Sequence, residues 1–124
     1  MGLPHPEFDP DKIVLQVACM DYKSTNNIIL SMLENMIKSV GGELSDYSAG
    51  SPAPNFGWEF YQLSISKAIV RRLANLPEND ILKMKGETLD QKFSAWLNRQ
   101  LKMRTEKVQV RLLSDLQSSQ FGLF

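Results

Sequence analysis

Cysteine and histidine are almost missing from this chain: of its 124 residues one is Cys, at position 19, and one is His, at position 5. A single thiol builds no disulfide framework, and a lone Cys among apolar neighbours reads as a small buried hydrophobe in a reducing compartment. A single imidazole, set between Pro4 and Pro6, assembles neither a Ser-His-Asp triad, a Cys-His pair nor a zinc site. Glycine patterns that cradle phosphate, G-x-x-x-x-G-K-S/T or G-x-G-x-x-G, do not occur, and Gly41-Gly42 is followed by Glu43, which repels a phosphate. The close pairs Asp9/Asp11 and Glu78/Asp80 stand where helices are expected to start, so they read as acids favouring the helix dipole. The chain is expected to be no enzyme, with no catalytic residue, no metal and no cofactor.

Long apolar runs are also lacking. The longest, Ile13 to Met20, is broken by Gln16 and is far short of a membrane span. The start, MGLPHPEFDP, has no basic stretch and no apolar stretch of the secretory kind, and Pro6 stands where a myristoylation pattern needs Ser or Thr. These features predict a cytoplasmic protein without a membrane partner.

Net charge is zero, yet it is unevenly spread. Residues 1–57 carry seven acids against Lys12, Lys23 and Lys38, a net of −4, and residues 58–124 carry eleven bases against seven acids, a net of +4. Such a split marks either an acidic or nucleic-acid partner or two halves that complement each other. The longest basic run is the pair Arg71-Arg72, which favours complementarity. Arg99, Lys102, Arg104 and Lys107 are the candidates for a phosphate backbone, but the solvated outer face of a helix explains them as well, and binding of nucleic acid is not expected.

What is present predicts one globular domain, since 43% of residues are apolar and 23% charged. Asp9-Pro10-Asp11 is a helix start signal, and Ile13, Val14, Val17 and Ala18 follow a helical stripe, although the β-branched content of KIVLQVACM leaves a strand open. Ser24 offers a cap for a helix whose apolar positions run from Ile28 through Met32, Met36 and Val40 to Gly41-Gly42. Residues 41–57, GGELSDYSAGSPAPNFG, read as one long loop that holds a partner surface through Tyr47 and Phe56 or merely spans two helices. A helical stripe at Tyr61, Ile65, Ala68, Ile69 and Leu76 follows. Thr88 and Gln91 fit a capping box ahead of Leu89, Phe93, Trp96, Leu97 and Leu101, in a helix that either runs on to Leu116 or breaks near Thr105. The expected fold is therefore all-α, a compact bundle of four or five helices with the one long loop, comprising a single domain over residues 1–117 and a tail over residues 118–124.

That tail ends SSQFGLF, with three large apolar side chains in its last four positions. Gln120, Leu123 and Phe124 fall in a Q-x-x-L-F pattern that resembles the clamp-binding peptide of bacterial DNA polymerases and repair proteins. The sequence is especially similar to the C-terminus of bacterial DNA polymerase II, where a Leu takes the place of Phe121. The resemblance covers five residues. It implies that Gln120 bonds at the rim of a groove on the bacterial sliding clamp and that Leu123 and Phe124 fill its apolar pocket, with Phe121 departing from the preferred aliphatic residue. The chain is accordingly expected to be a protein–protein interaction module, an accessory of DNA replication or repair of the phage or mobile-element type. The alternative is a structural or scaffolding subunit of an oligomeric assembly, a phage particle or secretion machinery, whose apolar C-terminus closes the core or an interface. Direct nucleic-acid binding is a third reading.

Overall fold

The computed structural model describes residues 11–114. The first element is a strand, β1 (Lys12–Cys19), in which Ile13, Leu15, Val17 and Cys19 alternate with more exposed residues and are each 0% exposed. This period of two, with Ile and Val at its buried positions, suits a pleated surface covered on one side. Helix α1 (Tyr22–Ser39) follows. Its cap is Asp21, not Ser24: the Asp21 carboxylate accepts from Lys23 N at 3.2 Å and from Ser24 Oγ at 2.7 Å. Thr25, Ile29, Leu33 and Ile37 form its buried stripe. Gly41 ends it at φ +82°, and Gly42 N donates back to Ile37 O at 2.9 Å.

The all-α bundle is overturned here. Residues 41–57 are not one long loop: a 3-10 turn over Leu44–Asp46 leads into β2 (Tyr47–Ala49), then β3 (Ala53–Asn55). Phe56 and Gly57, at φ +53° and +84°, form a two-residue turn into β4 (Trp58–Ser66). Two successive positive φ values are what a tight hairpin with right-twisted strands requires. The stripe Tyr61, Ile65 thus belongs to a strand whose buried residues are Tyr61, Leu63 and Ile65. Of the helical stripe expected from Tyr61 to Leu76, only α2 (Lys67–Ala74) is helical. Two 3-10 turns, Pro77–Asn79 and Ile81–Lys83, lead on to α3 (Leu89–Lys102), which keeps the capping box: Thr88 Oγ1 accepts from Gln91 N at 3.1 Å, and Gln91 Oε1 from Thr88 N at 3.4 Å. It does not run on to Leu116, because Val108, Val110 and Leu112 alternate inward in a last strand, β5 (Val108–Leu112).

The five strands form one antiparallel sheet in the order β2-β4-β1-β5, with β3 beside β2 along the same edge of β4. Taking β2 and β3 as one broken edge strand, and α2 with α3 as one doubled helical connection, the chain follows the split βαβ plan. The inward residues of every long strand and the stripes of all three helices join in one core, in which Leu33, Ile37, Phe93, Trp96 and Leu97 are each at most 4% exposed. Phe93 stacks on Trp96 with centroids 5.7 Å apart. All of this packing lies on one face of the sheet, and no described helix covers the other.

Candidate functional site

Strand alternation decides what stands on the second face. β1 presents Lys12, Val14, Gln16 and Ala18, and β4 presents Trp58, Phe60, Gln62 and Ser64, since their neighbours in sequence point into the core. Antiparallel register sets these side chains in rows. Phe60 stands between Ala53 of β3 and Ala18 of β1, with Gln109 of β5 beyond Ala18. The next row is Gln62, Gln16 and Arg111, and the next is Ser48, Ser64 and Val14. Directly opposed side chains have Cβ atoms about 5 Å apart.

Two hollows open on this face. One, of about 120 Å³, is lined by Gln16, Ala18, Phe60, Gln109 and Arg111. The other, of about 300 Å³, lies against Lys12, Val14, Ser48, Gly50, Gln62, Leu63 and Ser64. Gln109, with its amide oxygen turned to Arg111, accepts from Nη2 at 3.0 Å and Nε at 3.1 Å. Ser48 and Ser64 share a hydrogen bond of 2.8 Å. No Asp or Glu occupies any of these outward positions. Glu59, the acid within β4, has the opposite parity and accepts from Tyr22 N at 2.8 Å at the start of α1. Among the described residues, the face therefore carries the charge of Lys12 and Arg111 without an outward carboxylate on its strands.

The candidates read from sequence are elsewhere. Arg99 and Lys102 are exposed on the last turns of α3, Arg104 lies just beyond its end, and Lys107 immediately precedes β5. Arg104 turns back on the helix, donating from Nη1 to Gln100 O at 2.9 Å and to Gln100 Oε1 at 3.1 Å. It also lines a groove of about 430 Å³ with Asn27, Ile28, Ser31 and Met32 of α1. Arg99, Lys102 and Arg104 thus belong to the helical layer, and Lys107 adjoins the sheet at the start of β5. Gln120, Phe121, Leu123 and Phe124 lie outside the described residues. Of the two aromatics in the supposed loop, Tyr47 is 9% exposed and donates its hydroxyl to Asn26 Oδ1 at 2.6 Å, whereas Phe56 is 96% exposed at the hairpin tip.

Sequence reasoning missed Gln16, Phe60, Gln109 and Arg111 as neighbours. Their signal was present as alternation in KIVLQVAC, WEFYQLSIS and VQVRL, but only strand pairing brings the three segments together. The fold and this surface define a class: a two-layer split βαβ module with an aromatic and amide-bearing sheet face that no described helix covers. No protein-family model, curated protein or solved structure matches the chain.

Proposed function

We propose that this chain is a non-enzymatic interaction module, an accessory of DNA replication or repair that docks on the bacterial sliding clamp through Gln120, Phe121, Leu123 and Phe124. One observation carries this reading over its rival, closure of the core by the C-terminus. The described residues alone supply the helix-facing interior with twelve large side chains under 2% exposed, an ample core for a chain of this length that does not call on QFGLF. Burying a Leu and a Phe in a partner's pocket gains about 3–6 kcal/mol, and the Gln hydrogen bonds about 1 more. The cost of ordering and docking the peptide leaves a dissociation constant in roughly the micromolar range.

Deletion of Leu123 and Phe124 tests it. Titration calorimetry against a bacterial clamp should show binding by the intact chain and none by the truncated one, with equal melting temperatures. An intact chain that does not bind at high concentration, together with a truncated one that melts several degrees lower, would sink the proposal and favour core closure.

A further inference from the structure

We propose that the second face of the sheet binds an unpaired polynucleotide, with Phe60 and Trp58 as stacking platforms and with Gln16, Gln62, Gln109 and Arg111 meeting base edges and backbone. This inference stands apart from the clamp reading, because it uses none of residues 115–124.

Phe60 is built as a platform. Its direct neighbours across both flanking strands are alanines, Ala53 and Ala18, so no bulky side chain stands directly opposite the half-buried ring in either strand. Trp58 lies two residues along the same strand, a step of about 7 Å. Phe56 lies two further on, 96% exposed and at φ +53°. Asn or Gly normally fills that turn position, and a bulky residue there is an outlier. Trp58 and Phe60 thus follow one line down β4, with Phe56 in the turn at the hairpin tip. Every base has a π face, and unpaired bases stack on such outward rings of a sheet.

The chemistry of the rest of the face separates this ligand from a protein. A protein interface of this size has an apolar centre and a polar rim. Here polar side chains reach the centre: Gln62, Gln16 and Arg111 form a row across β4, β1 and β5 midway along the strands. Each amide offers both donors and an acceptor, which base edges answer and a dry apolar partner surface would leave unpaired. Among the described residues, Lys12 and Arg111 are unopposed by any outward carboxylate of the strands, so a phosphate backbone meets attraction there. A duplex hides its base faces and cannot use the platforms.

Fluorescence anisotropy of the full chain with labelled strands of about ten nucleotides tests this, with single-stranded DNA, single-stranded RNA and a duplex as separate arms. Either single strand should bind more tightly than the duplex, and the tighter of the two identifies the natural source of the ligand. Two face cations predict a shallow salt dependence, a slope of log K on log salt of about −1.4. Phe60→Ala should weaken binding about 5- to 150-fold, the loss of one stacked base. Phe60→Leu, which keeps the apolar bulk and removes the π face, should also weaken it while leaving the melting temperature nearly unchanged. The proposal is overturned by absence of single-strand binding, by equal or tighter duplex binding, or by a steep salt slope abolished on neutralising Arg99, Lys102, Arg104 and Lys107. It is equally overturned if Phe60→Ala and Phe60→Leu bind like the parent. A dimer that Phe60→Ala dissociates, without strand binding, would assign the face to a second copy of the chain instead.

Discussion

Tyr61→Phe removes one oxygen from the interior and leaves the ring in place. Tyr61 is 2% exposed, and its hydroxyl has no hydrogen-bond partner among the described residues. The ring meets Tyr22 edge-on, with centroids 4.7 Å apart at 89°, a contact that Phe retains. A buried polar group without a partner costs about 1–3 kcal/mol, so the substitution should stabilise the fold by about 1 kcal/mol or more, which raises the melting temperature by roughly 4 °C. Tyr47→Phe is the matched control. Its hydroxyl donates to Asn26 Oδ1 at 2.6 Å, and its loss should cost about 1 kcal/mol. Alkali gives a second measure. Burial, with smaller contributions from neighbouring ionisable groups, pushes both tyrosines well above their ordinary value of 10. The open chain then releases a proton near pH 10 that the folded chain retains, so stability is intact below that pH and falls above it by about 1.4 kcal/mol per pH unit for each tyrosine. Burial also raises Cys19 above its ordinary 9.0, which adds to the loss in the same direction. Urea midpoints followed by tryptophan fluorescence near pH 8 and pH 11 read both effects, and Tyr61→Phe should lose about 1.4 kcal/mol less than the parent between pH 8 and 11. A Tyr61→Phe variant less stable than the parent by 1 kcal/mol or so at pH 8 would mean that the hydroxyl is bonded, and the reasoning would fail.

Trp96→Ala should destabilise by about 3–5 kcal/mol, because a side chain 4% exposed and stacked on Phe93 leaves a cavity; chemical denaturation measures it, and a cost below about 1 kcal/mol would contradict the packing. Thr88→Ala should cost about 1 kcal/mol by freeing Gln91 N from its 3.1 Å bond at the start of α3, whereas Thr88→Ser should be close to neutral in the same titration.

Helices with complete local signals were legible before the structure. Thr88 with Gln91 and the apolar stripe from Leu89 to Leu101 locate α3 on their own, and the stripe ending at Gly41-Gly42 locates α1. The strands were misread for a geometric reason. Tyr61 and Ile65 are four residues apart, as are Val108 and Leu112, a spacing that satisfies both a helical face and an alternating strand. What decides is the residue midway: Leu63 and Val110 are both buried, whereas a helix would turn them to the far side. The hairpin was hidden by chemistry, since Phe56 occupies a left-handed turn position where Asn is the usual signal. The neighbourhood of Phe60, Ala18 and Gln109 was not legible at all, since it depends on pairing residues 42 and 91 positions apart.

The same alternation that conceals the face also isolates it energetically. Tyr61, Leu63 and Ile65 are at most 2% exposed and bind β4 to the core, while Trp58, Phe60, Gln62 and Ser64 on the same backbone add little to that burial. Selection can therefore alter the outward set without unfolding the domain, which is the condition for a binding surface to diverge on a stable scaffold. The other routes for a strand partner are obstructed. Along one edge, Pro52 interrupts β2 and β3 and Pro54 within β3 lacks an N–H. Along the other, Val110 N donates to Asn98 Oδ1 of α3 at 2.9 Å, which occupies a donor that an added strand would need. With the edges blunted and the helical side filled, the surface around Phe60, Gln16 and Arg111 is where this sheet has both the freedom and the chemistry to meet a ligand.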